Sequence, residues 1–264
     1  TGPTGRIRKL DVVRAGSARP ASGKLDLKGP TNVVALSATG ETIARRMTQS
    51  RSEIPSFDVV VQADMTTVVQ LRRGAGDLVQ TVPSLNDFIV KAVALALREY
   101  PAFNSSFVNG RSERHGRVNV GIAVATEDAL LVPAVVDADT KPLAVIAAEA
   151  RELVARAHGR RLSPGELTAS TFTVSNLGMF DVRSFTAVIN PPQVAILAVG
   201  SVKRSPVETA EGGVLFRDVA DLTLTADHRA IYGADAARFL GRVRQLLEHP
   251  LALVLDHRIP ERSS

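Results

Sequence analysis

The sequence predicts an α+β fold in which helices pack on a mixed or antiparallel sheet. Runs rich in Val, Ile and Thr follow one another in the second half of the chain, whereas a doubly wound sheet would alternate strands with helices. Of the 264 residues, 45% are hydrophobic and 22% are charged. This composition is typical of a globular chain that buries a sizeable core.

Five helices are predicted from apolar periodicity and from the signals at their ends. The clearest helix begins after Ser84, an N-cap residue with Asp87 three residues further on, and stops before Pro101. The predicted ranges are 42–50, 65–73, 84–100, 142–158 and 234–248.

Five strands are predicted from short β-rich runs. Residues 196–199 are apolar on both faces, which places their strand in the centre of the sheet. The predicted ranges are 57–63, 117–125, 171–175, 194–199 and 219–226.

The net charge of +5 and the sequence pI of about 10.0 raise the question of nucleic-acid binding. Residues 1–30 contain seven basic and two acidic residues, and the remainder of the chain is balanced. A broad phosphate-binding surface on the body is therefore excluded, and we predict no nucleic-acid partner. A short basic arm that meets an acidic partner remains open.

Other residue types exclude further classes. The chain contains no Cys, so disulfides, thiolate zinc sites and cysteine nucleophiles are ruled out. We find no spacing of His and acidic residues that suits a metal, and we predict none. No apolar run reaches the roughly 18 residues of a membrane span, and no signal-peptide pattern is present. We therefore expect a cytoplasmic protein without a membrane partner.

His228 is the histidine whose context suggests chemistry. It follows an alternating strand and precedes a turn with Gly233 and then a helix, so it is placed to project into a cleft. A structural role remains the alternative. The other four histidines, which we expect to be solvated or capping, are His115, His158, His249 and His257.

Ser175 is the second candidate. It ends a strand and is followed by Asn176 and Gly178, residues that also supply ordinary turn geometry. The alternative to a plain turn is that its hydroxyl donates to a developing oxyanion.

Several motifs occur in order along residues 33–255. They lie at 42–48, 85–92, 101–104, 121–125, 172–180, 189–193 and 228–233. Together they resemble the dihydrolipoyl acyltransferase family, the catalytic core subunits of 2-oxo acid dehydrogenase complexes. The motifs at 172–180 and 189–193 look closest to the acetyl-specific, pyruvate-type members.

The resemblance implies a chloramphenicol-acetyltransferase-like fold, a homotrimer and active sites between subunits. It makes His228 the general base and Ser175 the oxyanion donor, with acetyl-CoA or coenzyme A as co-substrate. Asn176, Gly178 and Arg46 are the residues that we expect at the cofactor. A lipoyl group is expected on an upstream domain if the chain is an ordinary core subunit.

The same resemblance divides the chain. Residues 1–14 resemble the end of the family's peripheral subunit-binding domain, through which dehydrogenase partner subunits would dock. Residues 15–32 are rich in Ala, Ser, Gly and Pro and form a flexible linker. Residues 33–264 form the acyltransferase catalytic domain.

Three departures from the family pattern stand out. The family reads His-x-x-x-Asp-Gly, and Tyr232 takes the place of the Asp, which is thought to pair with an arginine of the first helix, here Arg46. We still expect Tyr232 to take part in the site. Gly40 and Glu41 stand where basic residues are common, and the charged tail from residue 256 favours a trimer over a larger cage.

These departures lead to the main functional prediction. We expect transfer of an acetyl or other short acyl group from acyl-CoA to a small-molecule hydroxyl, as O-acetylation in specialised, natural-product biosynthesis. The alternative is the core acyltransferase of a pyruvate-type complex, which moves acyl groups between a dihydrolipoyl arm and CoA. A catalytically dead scaffold is disfavoured because His228 and Ser175 are both present.

Overall fold

A computed structural model describes residues 29, 31–76, 81–126, 129–209 and 211–255. The predicted binding-domain segment 1–14, nearly all of the linker 15–32 and the tail from residue 256, with His257, lie outside the described residues. Two compact units are distinguished, Thr1–Leu36 and Ser37–Ser264, and the described helices and strands all belong to the second.

The helices of the described chain are α1 (Ala38–Glu53), α2 (Thr66–Ala75), α3 (Leu85–Glu99), α4 (Leu143–His158), α5 (Pro164–Thr168), α6 (Gly233–Glu248) and α7 (Leu251–Val254). A 3-10 turn covers Gly178–Phe180. All five predicted helices are confirmed, and the first is longer than the predicted range 42–50. The longer start follows from Ser37, whose side chain caps the helix at Gly40.

The strands are β1 (Ser56–Asp64), β2 (Ser105–Val108), β3 (Arg111–Arg114), β4 (Val120–Ile122), β5 (Val124–Ala125), β6 (Leu130–Leu131), β7 (Ala134–Val135), β8 (Phe172–Asn176), β9 (Ala195–Val199), β10 (Lys203–Glu208) and β11 (Val214–Asp227). The predicted range 117–125 is wrong in one respect, because it contains two separate short strands, β4 and β5.

The main sheet has seven strands in the order β1-β11-β9-β8-β4-β7, with β10 paired to β11. The β4–β8 and β8–β9 pairs are parallel and the others are antiparallel, so the predicted mixed sheet is confirmed. All five residues of β9 are buried, which confirms its central place. Two-stranded sheets form from β2–β3 and β5–β6.

The hydrophobic core lies between the main sheet and helices α3, α4 and α6. Phe239 of α6 is fully buried and stacks on Phe103 with ring centroids 4.3 Å apart. Its ring also contacts Phe172 of β8 and Tyr100. Because α6 begins directly after the His228 turn, this packing fixes where that turn leaves the sheet.

Close backbone contact fixes the far end of β9. A Cβ built on Gly200 would lie 1.8 Å from the carbonyl oxygen of Arg183, so only glycine fits there. In the described part of the chain, no helix is long and apolar enough to cross a bilayer. The same residues hold no group of three or more His, Asp or Glu that could bind a metal ion.

Candidate active site

His228 lies in a tight turn at the end of β11. Its backbone N–H donates to the carbonyl of Pro55 at 3.0 Å, which ties the turn to the start of β1. The N–H groups of Ala230 and Ile231 both donate to the carbonyl of Asp227, at 3.1 and 2.9 Å. These three main-chain hydrogen bonds hold the backbone around the imidazole in place.

Aromatic rings flank the His228 imidazole, which is itself exposed. The ring of Phe57 lies 4.7 Å away between centroids, and the ring of Tyr232 meets it edge-on at 6.0 Å. Tyr232 is 63% exposed and stands at the N-cap position of α6 without a side-chain capping bond. The imidazole thus has apolar walls and an open side that a substrate can reach.

Asp227 and Arg229 form the charged part of the turn. Asp227 is fully buried, and both of its carboxylate oxygens accept bonds from the Arg229 guanidinium at 2.8–3.1 Å. These hydrogen bonds raise the pKa of Arg229 above its usual value. Neither residue was predicted from the sequence, although an Asp-x-Arg pair at the end of an apolar strand is a visible signal for such a bond.

Ser175 opens into a cavity of about 770 Å³ between α1 and the sheet. Within the described residues, no hydrogen bond uses the Ser175 hydroxyl. The walls are mainly apolar, with Met47, Leu131, Phe185 and Ile196 among them. A hydroxyl that is free to donate in a mostly apolar cavity suits the stabilisation of a developing oxyanion.

Asn176 and Gly178 hold the end of β8 in place. The Asn176 amide donates to Oδ1 of Asn86, at the start of α3, at 3.1 Å, and its own oxygen accepts from the Gly178 N–H at 2.8 Å. A Cβ on Gly178 would lie 3.0 Å from that oxygen and 3.1 Å from the Gly200 carbonyl. Both residues therefore have structural bonds that position Ser175.

Arg46 extends from α1 into the wall of the Ser175 cavity. It is the one charged side chain among the described residues that line this cavity. No hydrogen bond or ion pair links it to another described residue, so the pairing expected from the family pattern with position 232 is absent. Its charge remains available to an anionic group.

Ser175 and His228 do not meet within one chain. Ser175 of β8 pairs with Ala198 of β9. On β11, the strand beyond β9, the N–H of Asp227 donates to the carbonyl of Val194, which directly precedes β9 and lies four residues before Ala198. Four residues and two strand spacings correspond to about 16 Å. This distance exceeds what two side chains need to reach one carbonyl group, so a single copy holds two separate halves of a site.

The other histidines that the structure describes are structural or peripheral. The Nε2 atom of His115 lies 2.9 Å from the Ser106 hydroxyl, and the residue is half-buried instead of solvated as expected. His158 ends α4 and His249 is the C-cap of α6, both exposed as expected.

Comparison with known proteins gives concordant results. The family model described as 2-oxoacid dehydrogenases acyltransferase (catalytic domain) matches residues 28–255. A dihydrolipoyllysine-residue acetyltransferase component of the pyruvate dehydrogenase complex from Zymomonas mobilis is 38% identical over 96% of this chain and 61% of that protein. The chain spans about three fifths of the length of the curated relatives it matches.

Solved structures agree with the fold. The dihydrolipoamide acetyltransferase of Azotobacter vinelandii aligns with a TM-score of 0.83 and 31% identity, over 88% of this chain and 97% of that one. A chloramphenicol acetyltransferase, 16% identical, aligns with a TM-score of 0.50 over 77% of this chain and 94% of that one, a likeness of fold alone. The predicted chloramphenicol-acetyltransferase-like architecture is confirmed.

The predicted O-acetylation of a hydroxyl in natural-product biosynthesis is wrong. Relatives that share 33–38% identity over nearly the whole chain are acetyltransferase components of pyruvate dehydrogenase complexes. The prediction relied on the neutral Tyr232. However, the study of the Azotobacter enzyme concerns a serine, a histidine and an asparagine four residues after the histidine, which is also neutral. A neutral residue at this position therefore does not indicate another acceptor.

Proposed function

The chain belongs to the 2-oxoacid dehydrogenase acyltransferase family and is an acyltransferase catalytic domain, and from this premise we propose that it moves an acetyl group between a dihydrolipoyl thiol and coenzyme A. Its relatives at 33–38% identity carry the acetyltransferase function in complexes that act on pyruvate. The lipoyl group would be carried on a separate, upstream domain.

The observation that carries the proposal is the arrangement of Ser175 and His228. In the Azotobacter enzyme, the residues investigated for a role in the catalytic mechanism include a serine and a histidine that are 52 residues apart. Here Ser175 precedes His228 by 53 residues. One hydroxyl opens into a large apolar cavity and one imidazole is exposed between aromatic rings, which are the two groups that thioester exchange requires.

His228 would act as the general base. Its imidazole takes the proton of the attacking thiol, and the sulfur forms a bond to the thioester carbonyl carbon. The tetrahedral oxyanion accepts a hydrogen bond from the Ser175 hydroxyl. Collapse then breaks the bond to the other sulfur, which receives the proton from the imidazolium. No covalent bond to the protein forms, so the absence of Cys is no obstacle.

Coenzyme A fits the Ser175 side as a co-substrate. The apolar walls suit the pantetheine arm, and the free guanidinium of Arg46 suits a phosphate or another anionic group. Direct contacts of CoA with Asn176 and Gly178 stay a prediction, since the side chain of Asn176 and the N–H of Gly178 already bond within the chain.

A complete site would need two copies of the chain. Because the two halves are about 16 Å apart in one copy, His228 of one subunit would face Ser175 of the next. Such a head-to-tail contact closes into a ring, and we propose the homotrimer expected of the family. A cytoplasmic location and docking of dehydrogenase subunits through the N-terminal segment complete the proposal.

The deciding experiment is an acceptor comparison with the purified protein. Acetyl-CoA is offered with dihydrolipoamide or with a panel of simple alcohols, and each acetylated product is separated and quantified. We expect efficient transfer to dihydrolipoamide and at most trace transfer to alcohols. Equal or faster transfer to an alcohol would overturn the proposed acceptor, and no transfer to either would favour a scaffold role.

A further inference from the structure

We propose that Asp227 and Arg229 are positioning residues that hold His228 in its reactive orientation, an inference that rests on the proposed function. They flank the imidazole in sequence and bond to each other instead of to it. Neither residue was a candidate from the sequence, and neither is placed to touch the thioester in the proposed mechanism.

The first support is the bond itself. The Nε and Nη2 atoms of Arg229 donate to the two carboxylate oxygens of Asp227 at 2.8–3.1 Å. The backbone N–H of Arg229 also donates to Oδ1 of Asp227 at 3.0 Å. A fully buried carboxylate with three donors is strongly held, because leaving it without them would carry a large desolvation cost.

The second support is a set of contacts between Arg229 and residues outside the turn. The guanidinium carbon lies 4.3 Å from the centre of the Phe107 ring on β2. The Phe107 N–H in turn donates to the carbonyl of Pro192 at 3.0 Å, and Glu53 at the end of α1 adds an attractive charge. The arginine therefore links the turn to parts of the chain far away in sequence.

The consequence for His228 follows from the contacts within the turn. Asp227 and Arg229 bond to each other, whereas His228 between them contacts a different set of neighbours, the rings of Phe57 and Tyr232. If the bond is lost, the turn keeps its main-chain bonds but the side chain between the pair gains freedom.

The test uses two matched arginine variants. Arg242 is the control, because it forms a bidentate ion pair with Glu99 at 2.9–3.1 Å. Its side chain is 32% exposed, and that of Arg229 is 33% exposed. We expect R229Q to lower kcat about 10- to 100-fold with KM within twofold, because a small misplacement of a reacting group costs this much. R242Q should keep kcat within twofold.

A second arm separates positioning from general loss of structure. In an H228A background, R229Q should remove no further activity, because its effect passes through the imidazole. R229K keeps the charge but loses the planar fork, and we expect it to recover only part of kcat. D227N should resemble R229Q in kcat while lowering thermal stability more, since Asp227 is buried.

Three results would overturn the inference. One is a kcat for R229Q no lower than that of R242Q, and another is a rise in KM, which would make Arg229 a substrate-binding group. The third is an equal further loss in the H228A background. Full activity of H228A itself would instead refute the proposed function and leave the structural bond between Asp227 and Arg229 unaffected.

Discussion

The surroundings of His228 and Ser175 differ in how closely neighbouring groups surround each side chain. Around His228, main-chain bonds, the ion pair of Arg229 with the buried Asp227 and two aromatic rings limit the freedom of the turn. Around Ser175, the support lies behind the residue, in the Asn176 bonds, and the space in front is open and apolar. In the proposed mechanism the base would therefore be preorganised, whereas the oxyanion donor would stand at the wall of a cavity that could receive a large substrate.

The difference teaches that the two halves of the chemistry are built independently. In the proposed mechanism the imidazole accepts and returns a proton, a role that benefits from the many contacts that hold its turn. The hydroxyl needs only to face the oxyanion, so its neighbours can be shaped for binding instead. Variants on each side should therefore fail in different kinetic parameters.

The largest effect is expected from a substitution in the His228 turn. His228→Ala removes the base, and we expect kcat for acetyl transfer to dihydrolipoamide to fall by about 10²- to 10⁴-fold. Steady-state kinetics with both substrates varied provide the measurement. His158→Ala, at the exposed end of α4, is the matched control and should retain activity. A retained kcat in the His228 variant would remove this residue from the base role.

Ser175→Ala tests the contribution of the Ser175 cavity. Loss of a single oxyanion donor costs about 3 kcal/mol, and we expect kcat to fall by about 10²- to 10³-fold while the affinity for CoA changes little. Ser205→Ala on β10 serves as the control. If the loss appears mainly in KM, Ser175 contributes to substrate binding and the contrast between the two regions disappears.

Mixing the two inactive variants tests whether the halves come from different copies. Co-refolded His228→Ala and Ser175→Ala chains should regain about a quarter of wild-type activity, because random assembly pairs an intact His228 with an intact Ser175 at one site in four. Each variant refolded by itself is the control. A mixture as inactive as its parents would place the whole site within one chain.

Substitutions at Tyr232 test how much the aromatic rings beside His228 contribute to kcat. Its ring meets the imidazole edge-on and its hydroxyl has no bond within the described residues, so Tyr232→Phe should keep kcat within about twofold. Tyr232→Ala removes a ring contact worth roughly 0.5–1.5 kcal/mol, and we expect a loss of about 3- to 10-fold. A larger loss in the Phe variant would show that the hydroxyl acts on the substrate.

The smallest effect on activity is expected at the support behind Ser175. Ser84 and Asp87 form a capping box at the start of α3, which carries Asn86. Ser84→Ala should lower the free energy of unfolding by about 1 kcal/mol, measured by denaturant titration, with kcat unchanged. The exposed Ser52→Ala should change neither quantity, and an equal stability loss there would remove the special role of the cap.

Much of the fold was predictable because its signals are local. The capping box at Ser84 and the uniformly apolar run that forms β9 depend on residues close in sequence. The short strands β2, β3, β6, β7 and β10 and the early part of β11 were missed, because such strands are defined by their partners across the sheet.

The sequence marks His228 and Ser175 as candidate site residues but does not encode the distance between them. His228 and Ser175 each stand at a strand end that the sequence marks. Their distance depends on strand order, β8-β9-β11, which no local pattern encodes. Whether Arg46 has a partner is likewise decided by packing across the molecule, and it bonds to no other described residue.

In the proposed two-copy site, the separation of Ser175 from His228 makes catalysis depend on protein concentration. A newly synthesised chain would carry one base and one oxyanion donor that cannot cooperate, so it would act on acetyl-CoA only after it finds another copy. Specific activity should therefore fall steeply on dilution below the dissociation constant of the assembly. Under this proposal folding and activation would be two separate events, and the second would be set by how much of the protein a cell makes.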